Sequence, residues 1–244
     1  MTSPPPPVAL ITGAAKRVGR GVALRLAREG WDVAFTYLNS EAEAKQLEGE
    51  IAAMGRKSLA IKADLTDPEP AAGQIDAAFS SAFSRLDLLI NNASLYYESG
   101  LRTVKLSDSR RLWAIHVEAP TLLCRTFAAR LADADGSVLN MLDLLAEKPL
   151  PDYLVYCASK AAAWNLTLGL ARELAPKVRV NGIAPGVVEW PRDLPESARQ
   201  AYLHRVPLAR AGTPEDVAEA VLFLIRDRYM TGQILRLDGG RSLM

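Results

Sequence analysis

Residues 8–29, VALITGAAKRVGRGVALRLARE, contain the stretch that decides the fold, TGAAKRVG at Thr12–Gly19. The apolar run Val8–Thr12 at its start predicts a buried strand. Val18–Glu29 places apolar side chains at the spacing of one helix face, and Gly30 is a typical helix end. The sequence therefore predicts a strand, a glycine-containing turn and a helix, which is the opening unit of an α/β fold.

Two glycines of this turn, Gly13 and Gly19, stand six residues apart. In such a turn glycine permits the tight bend and the close approach of the helix, and the free N–H groups of the helix N-terminus bind phosphate. Lys16 and Arg17 stand where a middle glycine is usual. We interpret the turn as a dinucleotide-binding loop, and an ordinary strand-to-helix turn is the alternative.

Strand-like apolar runs alternate with helical patterns along the rest of the chain. Leu86–Ile90 and Val138–Leu142 are continuously apolar, as in strands that are buried on both faces of a parallel sheet. This alternation predicts an α/β fold: a single doubly wound Rossmann domain over residues 8–244, with a parallel sheet of about seven strands and helices on both faces. The other predicted strands are Val33–Tyr37, Ser58–Ala63, Val178–Ile183 and Ile234–Leu237.

Capping residues mark several predicted helix starts. Ser40–Glu43 has the capping-box pattern, Asp67 is followed by a proline, and Thr213–Asp216 caps the last helix. Two long helices are predicted over Ser107–Leu131 and Leu154–Leu174. Between the last two helices, residues 187–210 are predicted to form a loop that covers the substrate, with Trp190 in it.

The composition is that of an ordinary globular chain, with 49% hydrophobic and 23% charged residues. A net charge of +1 gives no field that would attract nucleic acid or an acidic membrane surface, and no apolar stretch is long enough to span a bilayer. Cys124 and Cys157 have no CxxC partner, and two histidines cannot complete a ligand set, so we expect no metal site and a cytoplasmic protein with reduced thiols. The proline-rich residues 1–7 are expected to form a flexible leader rather than a signal peptide.

The end of the second predicted strand bears on the cofactor. NAD sites usually place Asp or Glu about 20 residues past the glycines, whereas this strand end has no carboxylate. Tyr37, Asn39 and Ser40 can donate hydrogen bonds to a 2′-phosphate, and Lys16 and Arg17 would attract its charge. We therefore predict NADPH, and the alternative is that the two cations are merely exposed on the loop.

Tyr156 and Lys160 form a YxxxK pattern on a predicted helix. The i,i+4 spacing places the phenol and the ammonium on one helix face. Free tyrosine has a pKa near 10, and a neighbouring cation favours the phenolate. Lys160 is therefore expected to lower the pKa of Tyr156 and to make it a proton donor.

Together these motifs resemble the short-chain dehydrogenase/reductase family over nearly the whole chain. The motifs that occur in the family's order are TGAAKRVG, Ala63–Leu65, Asn91–Ala93, the YxxxK pair, Val180–Gly186 and Leu237–Gly240. The resemblance implies that Tyr156 and Lys160 are catalytic, with Lys160 also holding the nicotinamide ribose. The predicted cofactor-binding residues are Gly13, Lys16, Arg17, Val18, Gly19, Tyr37, Asn39, Ser40, Asp64, Leu65, Asn92, Ala93, Tyr156, Lys160, Pro185, Gly186 and Val188.

Two positions depart from the usual family pattern. Thirteen residues before Tyr156, where the family usually has a serine that polarises a carbonyl, stands Asp143. A carboxylate cannot donate a hydrogen bond unless it is protonated, so Asp143 suits a substrate rich in N–H groups, or a proton relay. His116 replaces the helix asparagine of the family's water-linked proton route. It either substitutes in that route or is a packed, hydrogen-bonded side chain.

With Arg17, these departures resemble the pteridine reductase branch, which includes dihydromonapterin reductases. The resemblance implies that Asp143 anchors a pterin, that Tyr96 stacks on it against the nicotinamide, and that Arg17 reaches both pterin and cofactor phosphate. Such stacking favours flat heterocycles. The alternative is that Tyr96 and Tyr97 are simply core aromatics of a loop. The predicted substrate-binding residues are Arg17, Ser94, Tyr96, Asp143, Tyr156 and Trp190.

The expected reaction is reduction of a C=N bond of a dihydropterin by NADPH, with Tyr156 protonating the nitrogen. A general carbonyl reductase, for instance on 3-oxoacyl thioesters, is one alternative. A non-catalytic NADP-binding regulator or scaffold is the other. The resemblance also implies a homotetramer built largely on the Leu154–Leu174 helix, and Arg241 is a candidate for contact with a neighbouring subunit's pocket.

Overall fold

The computed structural model describes residues 5–190 and 194–244. Its parallel sheet has seven strands in the order β3-β2-β1-β4-β5-β6-β7, so all seven predicted strands and the doubly wound fold are confirmed. The strand order reverses between β1 and β4, which is where such sheets open a crevice for a ligand. The strands are β1 Val8–Ile11, β2 Asp32–Tyr37, β3 Ser58–Lys62, β4 Leu88–Asn91, β5 Ser137–Met141, β6 Arg179–Pro185 and β7 Ile234–Leu237.

Helices cover both faces of the sheet. The first, second and last pack on one face, and the third, fifth and sixth pack on the other. The helices are α1 Arg17–Arg28, α2 Glu41–Ala53, α3 Pro68–Ala82, α4 Leu106–Trp113, α5 Ala119–Asp133, α6 Leu154–Glu173, α7 Glu196–Leu203 and α8 Pro214–Arg226.

The core is divided by the sheet into two layers, because successive side chains of a strand point to opposite faces. In β1, Ile11 packs in the layer of α1 and α8, whereas Leu10 packs in the layer of α3 and α5. Phe79 and Phe127 in the second layer are fully buried and meet edge to face, with ring centroids 5.3 Å apart. Burial of each such side chain contributes roughly 2–3 kcal/mol.

The long helix predicted over Ser107–Leu131 is interrupted by a π-helical turn at Ala114–Glu118, between α4 and α5. Pro120 lies in the first turn of α5 and has no N–H to donate to the carbonyl four residues earlier. The N–H of Ala119 bonds instead to the carbonyl of Ala114. The wider turn rotates His116 inward, where it is buried.

Helix capping follows the prediction in α8 but not in α2. Thr213 Oγ1 accepts from the Asp216 N–H at 3.1 Å, and the Asp216 carboxylate accepts from the Thr213 N–H at 2.8 Å. Ser40 precedes α2 but makes no side-chain cap, so the predicted capping box is wrong. Its acidic member, Glu43, binds Lys16 at 2.7 Å instead. The Asp67 side chain likewise makes no cap on α3.

Two predicted irregular segments are only partly described. Within residues 187–210, positions 191–193 lie outside the described residues, and the sequence pattern missed α7, none of whose residues is buried. Of the predicted leader 1–7, residues 1–4 lie outside the described part. The Pro7 carbonyl accepts a hydrogen bond from the Asp32 N–H at 2.9 Å. Among the described helices, none is both long enough and apolar enough to cross a membrane.

Candidate active site

The loop between β1 and α1 requires glycine at both of its predicted positions. Gly13 has φ +65°, and a Cβ on it would lie 3.0 Å from Ala93 Cα. A Cβ on Gly19 would lie 2.7 Å from Ala14 Cα, so only glycine lets α1 approach the loop this closely. No side chain in the described part of the chain caps the start of α1. Its first N–H groups can therefore receive a pyrophosphate, and the loop fits a dinucleotide.

The loop is held by hydrogen bonds from two neighbouring strands. Thr12 Oγ1 accepts from the N–H groups of Asn92 and Ala93, both at 2.9 Å. The Asn92 amide donates to the carbonyls of Thr12 and Gly13 at 2.8 and 3.0 Å. The Gly13 N–H donates to Thr36 Oγ1 at 3.0 Å. Asn92 therefore positions the loop through its side chain.

Lys16 and Arg17, the two cations of the loop, each have an acidic partner. Lys16 binds Glu43 at 2.7 Å. Arg17 Nε binds the Glu189 carboxylate at 2.8 Å, and its terminal nitrogen donates to the Glu189 carbonyl at 2.9 Å. The sequence reading missed both carboxylates, because they come from α2 and from the segment after β6. Both pairs are exposed to solvent, so neither holds its cation rigidly.

The other predicted cofactor residues lie at the carboxyl ends of the strands. Tyr37 ends β2, and Asn39 and Ser40 follow it. The Asp64 carboxylate, after β3, accepts from the N–H and hydroxyl of Thr66 at 2.9 and 2.7 Å. Leu65 is buried in the core layer of α3 and α5, and Val188 packs against the layer of α1 and α8. Pro185 ends β6, and Gly186 follows with its N–H bonded to the Leu237 carbonyl. Val18 lies in the first turn of α1.

The three predicted catalytic residues meet at one point. Asp143 follows β5, and Tyr156 and Lys160 lie on α6. The Tyr156 hydroxyl donates to Asp143 Oδ2 at 2.5 Å. Lys160 Nζ donates to the Met141 carbonyl at 3.0 Å and lies 6.0 Å from the centre of the Tyr156 ring. The Leu145 N–H donates to Asp143 Oδ1 at 2.8 Å and holds the carboxyl in place.

Burial dominates the electrostatics of this cluster. It raises the pKa of Asp143, and together with the Asp143 charge it raises the pKa of Tyr156 well above its ordinary value. Burial lowers the pKa of Lys160 to about 8, against the opposing effect of Asp143. The net shift of the Tyr156 pKa is therefore upward, opposite to the predicted direction. The lysine donates to a backbone carbonyl, whereas the carboxylate bonds the phenol directly.

The predicted stacking residue, Tyr96, belongs to an aromatic cluster. Half exposed, it stacks on Tyr153 with ring centroids 4.7 Å apart and planes at 15°. Its centroid lies 4.9 Å from that of Tyr156, with the rings at 89°. The sequence reading missed Tyr153, although its i,i+3 spacing from Tyr156 is a signal for a shared helix face. The Tyr97 hydroxyl donates to the Asp108 carbonyl at 2.7 Å, so Tyr97 is the packed aromatic of the pair.

His116 is a packed, hydrogen-bonded side chain, one of the two predicted interpretations. It is 3% exposed, with Nε2 2.8 Å from Ser94 Oγ and Nδ1 2.8 Å from Ser159 Oγ. A small cavity, about the size of one water molecule, lies between His116 and Lys160. The Asn91 side chain lines this cavity, and its buried Oδ1 has no hydrogen-bond partner in the described part of the chain.

Trp190 meets Tyr202 of α7 edge to face, with centroids 5.5 Å apart. The Tyr202 hydroxyl accepts from the Val187 N–H at 3.2 Å, which places this ring against the segment after β6. The Arg241 guanidinium lies over the same ring, 5.7 Å from its centre. Arg241 therefore contacts Tyr202 within its own chain, and its reach to a neighbouring subunit stays a prediction.

Known proteins match nearly the whole chain. A family model described as enoyl-(acyl carrier protein) reductase matches residues 13–242. Pteridine reductase 1 of Leishmania tarentolae is 34% identical, and the match covers 99% of this chain and 98% of that protein. A 3-oxoacyl-(acyl-carrier-protein) reductase of Staphylococcus aureus is 32% identical, with coverage of 95% and 96%.

Solved structures agree with this fold. A double mutant of a Serratia marcescens short-chain dehydrogenase/reductase has a TM-score of 0.91 and 33% identity, with coverage of 97% of this chain and 98% of that one. FolM alternative dihydrofolate reductase 1 of Brucella canis, solved with NADP, has a TM-score of 0.89 and 33% identity, with coverage of 98% and 95%. The glycine loop, the Tyr156–Lys160 pair and these full-length matches lead to one conclusion: the chain belongs to the short-chain dehydrogenase/reductase family of nicotinamide-dependent oxidoreductases.

Proposed function

We propose that this protein is an NADPH-dependent reductase of the C=N bond of a dihydropterin. The observation that carries the proposal is the 2.5 Å hydrogen bond from Tyr156 to Asp143. A ketone substrate needs a second donor at that position, and an ionised carboxylate is an acceptor only. A pterin ring has amino and N–H groups that can donate hydrogen bonds to a carboxylate.

Several features support NADPH as the cofactor. The uncapped start of α1 and the Gly13 turn suit the pyrophosphate. The end of β2, with Tyr37, Asn39 and Ser40, has no carboxylate that would repel a 2′-phosphate. Among the similar structures, the Brucella canis protein was solved with NADP, and a metagenomic blue fluorescent protein with NADPH. Lys16 and Arg17 would then exchange Glu43 and Glu189 for the phosphate.

The chain's own residues divide the chemistry between them. When bound, reduced nicotinamide supplies the hydride. Tyr156 donates its proton to the ring nitrogen. Asp143 accepts hydrogen bonds from N–H groups of the substrate and orients the phenol. Lys160 holds the ribose hydroxyls and offsets negative charge at the phenol. Tyr96 offers the ring face opposite Tyr153 to a flat heterocycle, and Trp190 and Ser94 lie at the edge of the site.

A 3-oxoacyl thioester reductase is the second candidate, because the Staphylococcus aureus relative is almost as similar as the pteridine reductase. Asp143 opposes it, since a carbonyl oxygen needs a donor there. A non-catalytic NADP-binding regulator is the third, and it leaves the Tyr156–Lys160 pair without a use.

The deciding experiment follows NADPH oxidation with dihydrobiopterin, dihydromonapterin, dihydrofolate and a 3-oxoacyl thioester side by side. We expect kcat/KM on at least one pterin or folate to exceed that on the thioester by a hundredfold or more, about 3 kcal/mol of discrimination. A preference for the thioester would replace the proposal by the second candidate. NADPH binding without oxidation on any substrate would favour the third.

We further propose a cytoplasmic homotetramer built largely on α6. The described Cys124 and Cys157 are free and buried, as suits a reducing compartment. Leu154 and Leu168 of α6 are exposed in the single chain, which supports an apolar contact between subunits. Sedimentation equilibrium tests the assembly, and a monomer at micromolar concentration would contradict it.

A further inference from the structure

A continuous chain of hydrogen bonds runs from the substrate side of the site to the helix that carries Tyr156. Ser94 Oγ lies 2.8 Å from His116 Nε2, and His116 Nδ1 lies 2.8 Å from Ser159 Oγ. Ser159 Oγ lies 2.7 Å from the backbone carbonyl of Tyr156. Ser94 is exposed and the other members are buried. His116 is therefore the link between the loop after β4 and the start of α6.

The direction of every bond in this chain follows from its last acceptor. A carbonyl oxygen cannot donate, so the hydroxyl proton of Ser159 points to Tyr156. Ser159 can then only accept from His116, and the proton of the imidazole must lie on Nδ1. A neutral imidazole carries one proton, which leaves Nε2 as an acceptor.

The surroundings of His116 keep its ring neutral. The side chain is buried, its ring meets that of Tyr156 edge to face with centroids 5.6 Å apart, and Lys160 lines the same small cavity. Burial, and secondly Lys160, lower the pKa of His116 to about 2. No carboxylate contacts the ring in the described part of the chain, since its two hydrogen-bond partners are both hydroxyls. Ser94 must therefore give its proton to Nε2, as its other acceptor, the Leu95 carbonyl, is at 3.4 Å.

We infer that His116 is a positioning residue for substrate specificity: it turns the Ser94 hydroxyl into a pure hydrogen-bond acceptor toward the substrate pocket. Ser94 lies between Ala93, which contacts the glycine loop, and Tyr96, whose ring meets Tyr156. With its proton committed to His116, its remaining lone pairs accept but cannot donate. Ser94 and Asp143 together then require N–H donors on the ligand, an inference that rests on the proposed function.

The position of the proton on the His116 ring can be measured without an activity assay. The chain has two histidines, so ¹⁵N spectra of the imidazoles are simple, and a His204→Gln variant identifies the His116 signals. We expect a protonated Nδ1 and an unprotonated Nε2, with no change between pH 5.5 and 9. A proton on Nε2, or an imidazolium at the lower pH, would overturn the inference.

A double-mutant cycle tests the consequence for specificity. Ser94→Ala should raise KM for the preferred dihydropterin about tenfold, the loss of one hydrogen bond of about 1.4 kcal/mol, with NADPH affinity unchanged. His116→Leu should raise the same KM, and the double variant should be no worse than Ser94→Ala alone, because His116 acts through Ser94. Ser81→Ala is the matched control, since Ser81 is likewise an exposed, hydrogen-bonded serine but lies on α3, away from the site.

The two readouts separate the possible failures. Additive effects in the cycle would show that His116 stabilises the fold without acting through Ser94, and would refute the inference. If no pterin is reduced while Nδ1 carries the proton, the proposed function and the specificity claim fail together, and the polarity of Ser94 stands as measured. If pterins are reduced but Nε2 carries the proton, the inference alone fails.

Discussion

At the scale of single residues, one short hydrogen bond sets the chemistry of the site. The Tyr156 hydroxyl oxygen and Asp143 Oδ2 lie 2.5 Å apart, and burial raises the pKa of both groups. The Asp143 carboxylate raises the pKa of Tyr156 further, whereas the hydrogen bond from Tyr156 lowers that of Asp143. Under the proposed function, the phenol keeps its proton until a substrate nitrogen takes it, and the acceptor oxygens of Asp143 favour a substrate with N–H donors.

Removal of the phenol hydroxyl should abolish turnover and spare cofactor binding. Tyr156→Phe is expected to lower kcat by a factor of about 10²–10⁴, the usual contribution of a general acid. The NADPH dissociation constant should stay within about twofold. Stopped-flow assays and fluorescence titration measure the two quantities, and turnover within tenfold of the native rate would exclude Tyr156 as the proton donor.

Lys160 should serve activity at the expense of stability. Its ammonium is 3% exposed and bonds one carbonyl, and its pKa is lowered to about 8. The unfolded chain binds this proton more tightly, so the destabilisation is fully present below pH 8 and disappears as the pH rises toward the ordinary lysine value. Lys160→Met should therefore be inactive but more stable at pH 7. Urea unfolding should show the difference in free energy of unfolding shrinking between pH 8 and pH 10.

At the scale of elements, the starts of α1 and α8 differ in what their free N–H groups meet. The start of α1 has no side-chain cap and faces the glycine loop. The start of α8 is closed by its own capping box, with Thr213 and Asp216 as partners. Helix-end N–H groups are thus free to bind a ligand at α1 and are used for stability at α8.

The capping box of α8 gives a prediction about stability. Asp216→Ala should lower the free energy of unfolding by about 1 kcal/mol. The hydrogen bond from Arg210 lowers the pKa of Asp216 to about 2. This contribution is therefore present above the ordinary carboxyl pKa and lost as the pH falls toward 2. Glu69→Ala, at an exposed position in the first turn of α3, should have little effect in the same unfolding series.

The Arg17–Glu189 pair gives a prediction about cofactor binding, because Arg17 is a proposed ligand of the 2′-phosphate. Glu189→Gln removes the carboxylate partner and should tighten NADPH binding by up to about fivefold at low salt, since an exposed pair is worth at most about 1 kcal/mol. The effect should fade as salt is added. NADPH titration of Glu147→Gln provides the control, because this variant also removes an exposed carboxylate from an arginine pair, with Arg236 on β7. Weaker NADPH binding in Glu189→Gln would mean that the pair positions Arg17 for the phosphate.

At the scale of the whole molecule, parallel strands bring distant residues to one edge. The loop after β1, Asn92 after β4, Asp143 after β5 and Gly186 after β6 all stand at the carboxyl ends of the sheet. Because the two core layers support this sheet from both faces, damage to a layer remote from the edge should affect stability more than chemistry.

A core substitution tests this separation. Phe79→Ala should lower the free energy of unfolding by about 3–5 kcal/mol, because the ring is fully buried between Phe83 and Phe127. The folded fraction should keep a nearly native KM. Phe223→Ala, at a half-exposed position on α8, should change stability by less than about 1 kcal/mol. Chemical unfolding and steady-state kinetics of both variants provide the comparison.

The sequence by itself determined the strands, the doubly wound fold and the Tyr156–Lys160 pair, whereas Asp143 was identified through the family resemblance. These depend on local apolar periodicity, on glycines that the backbone geometry requires, and on spacing within one helix. Only the tertiary structure decided the partners of Lys16 and Arg17, the stack of Tyr96 on Tyr153, and the upward direction of the Tyr156 pKa. Each of those depends on burial and on contacts between residues far apart in the chain, which no local pattern records.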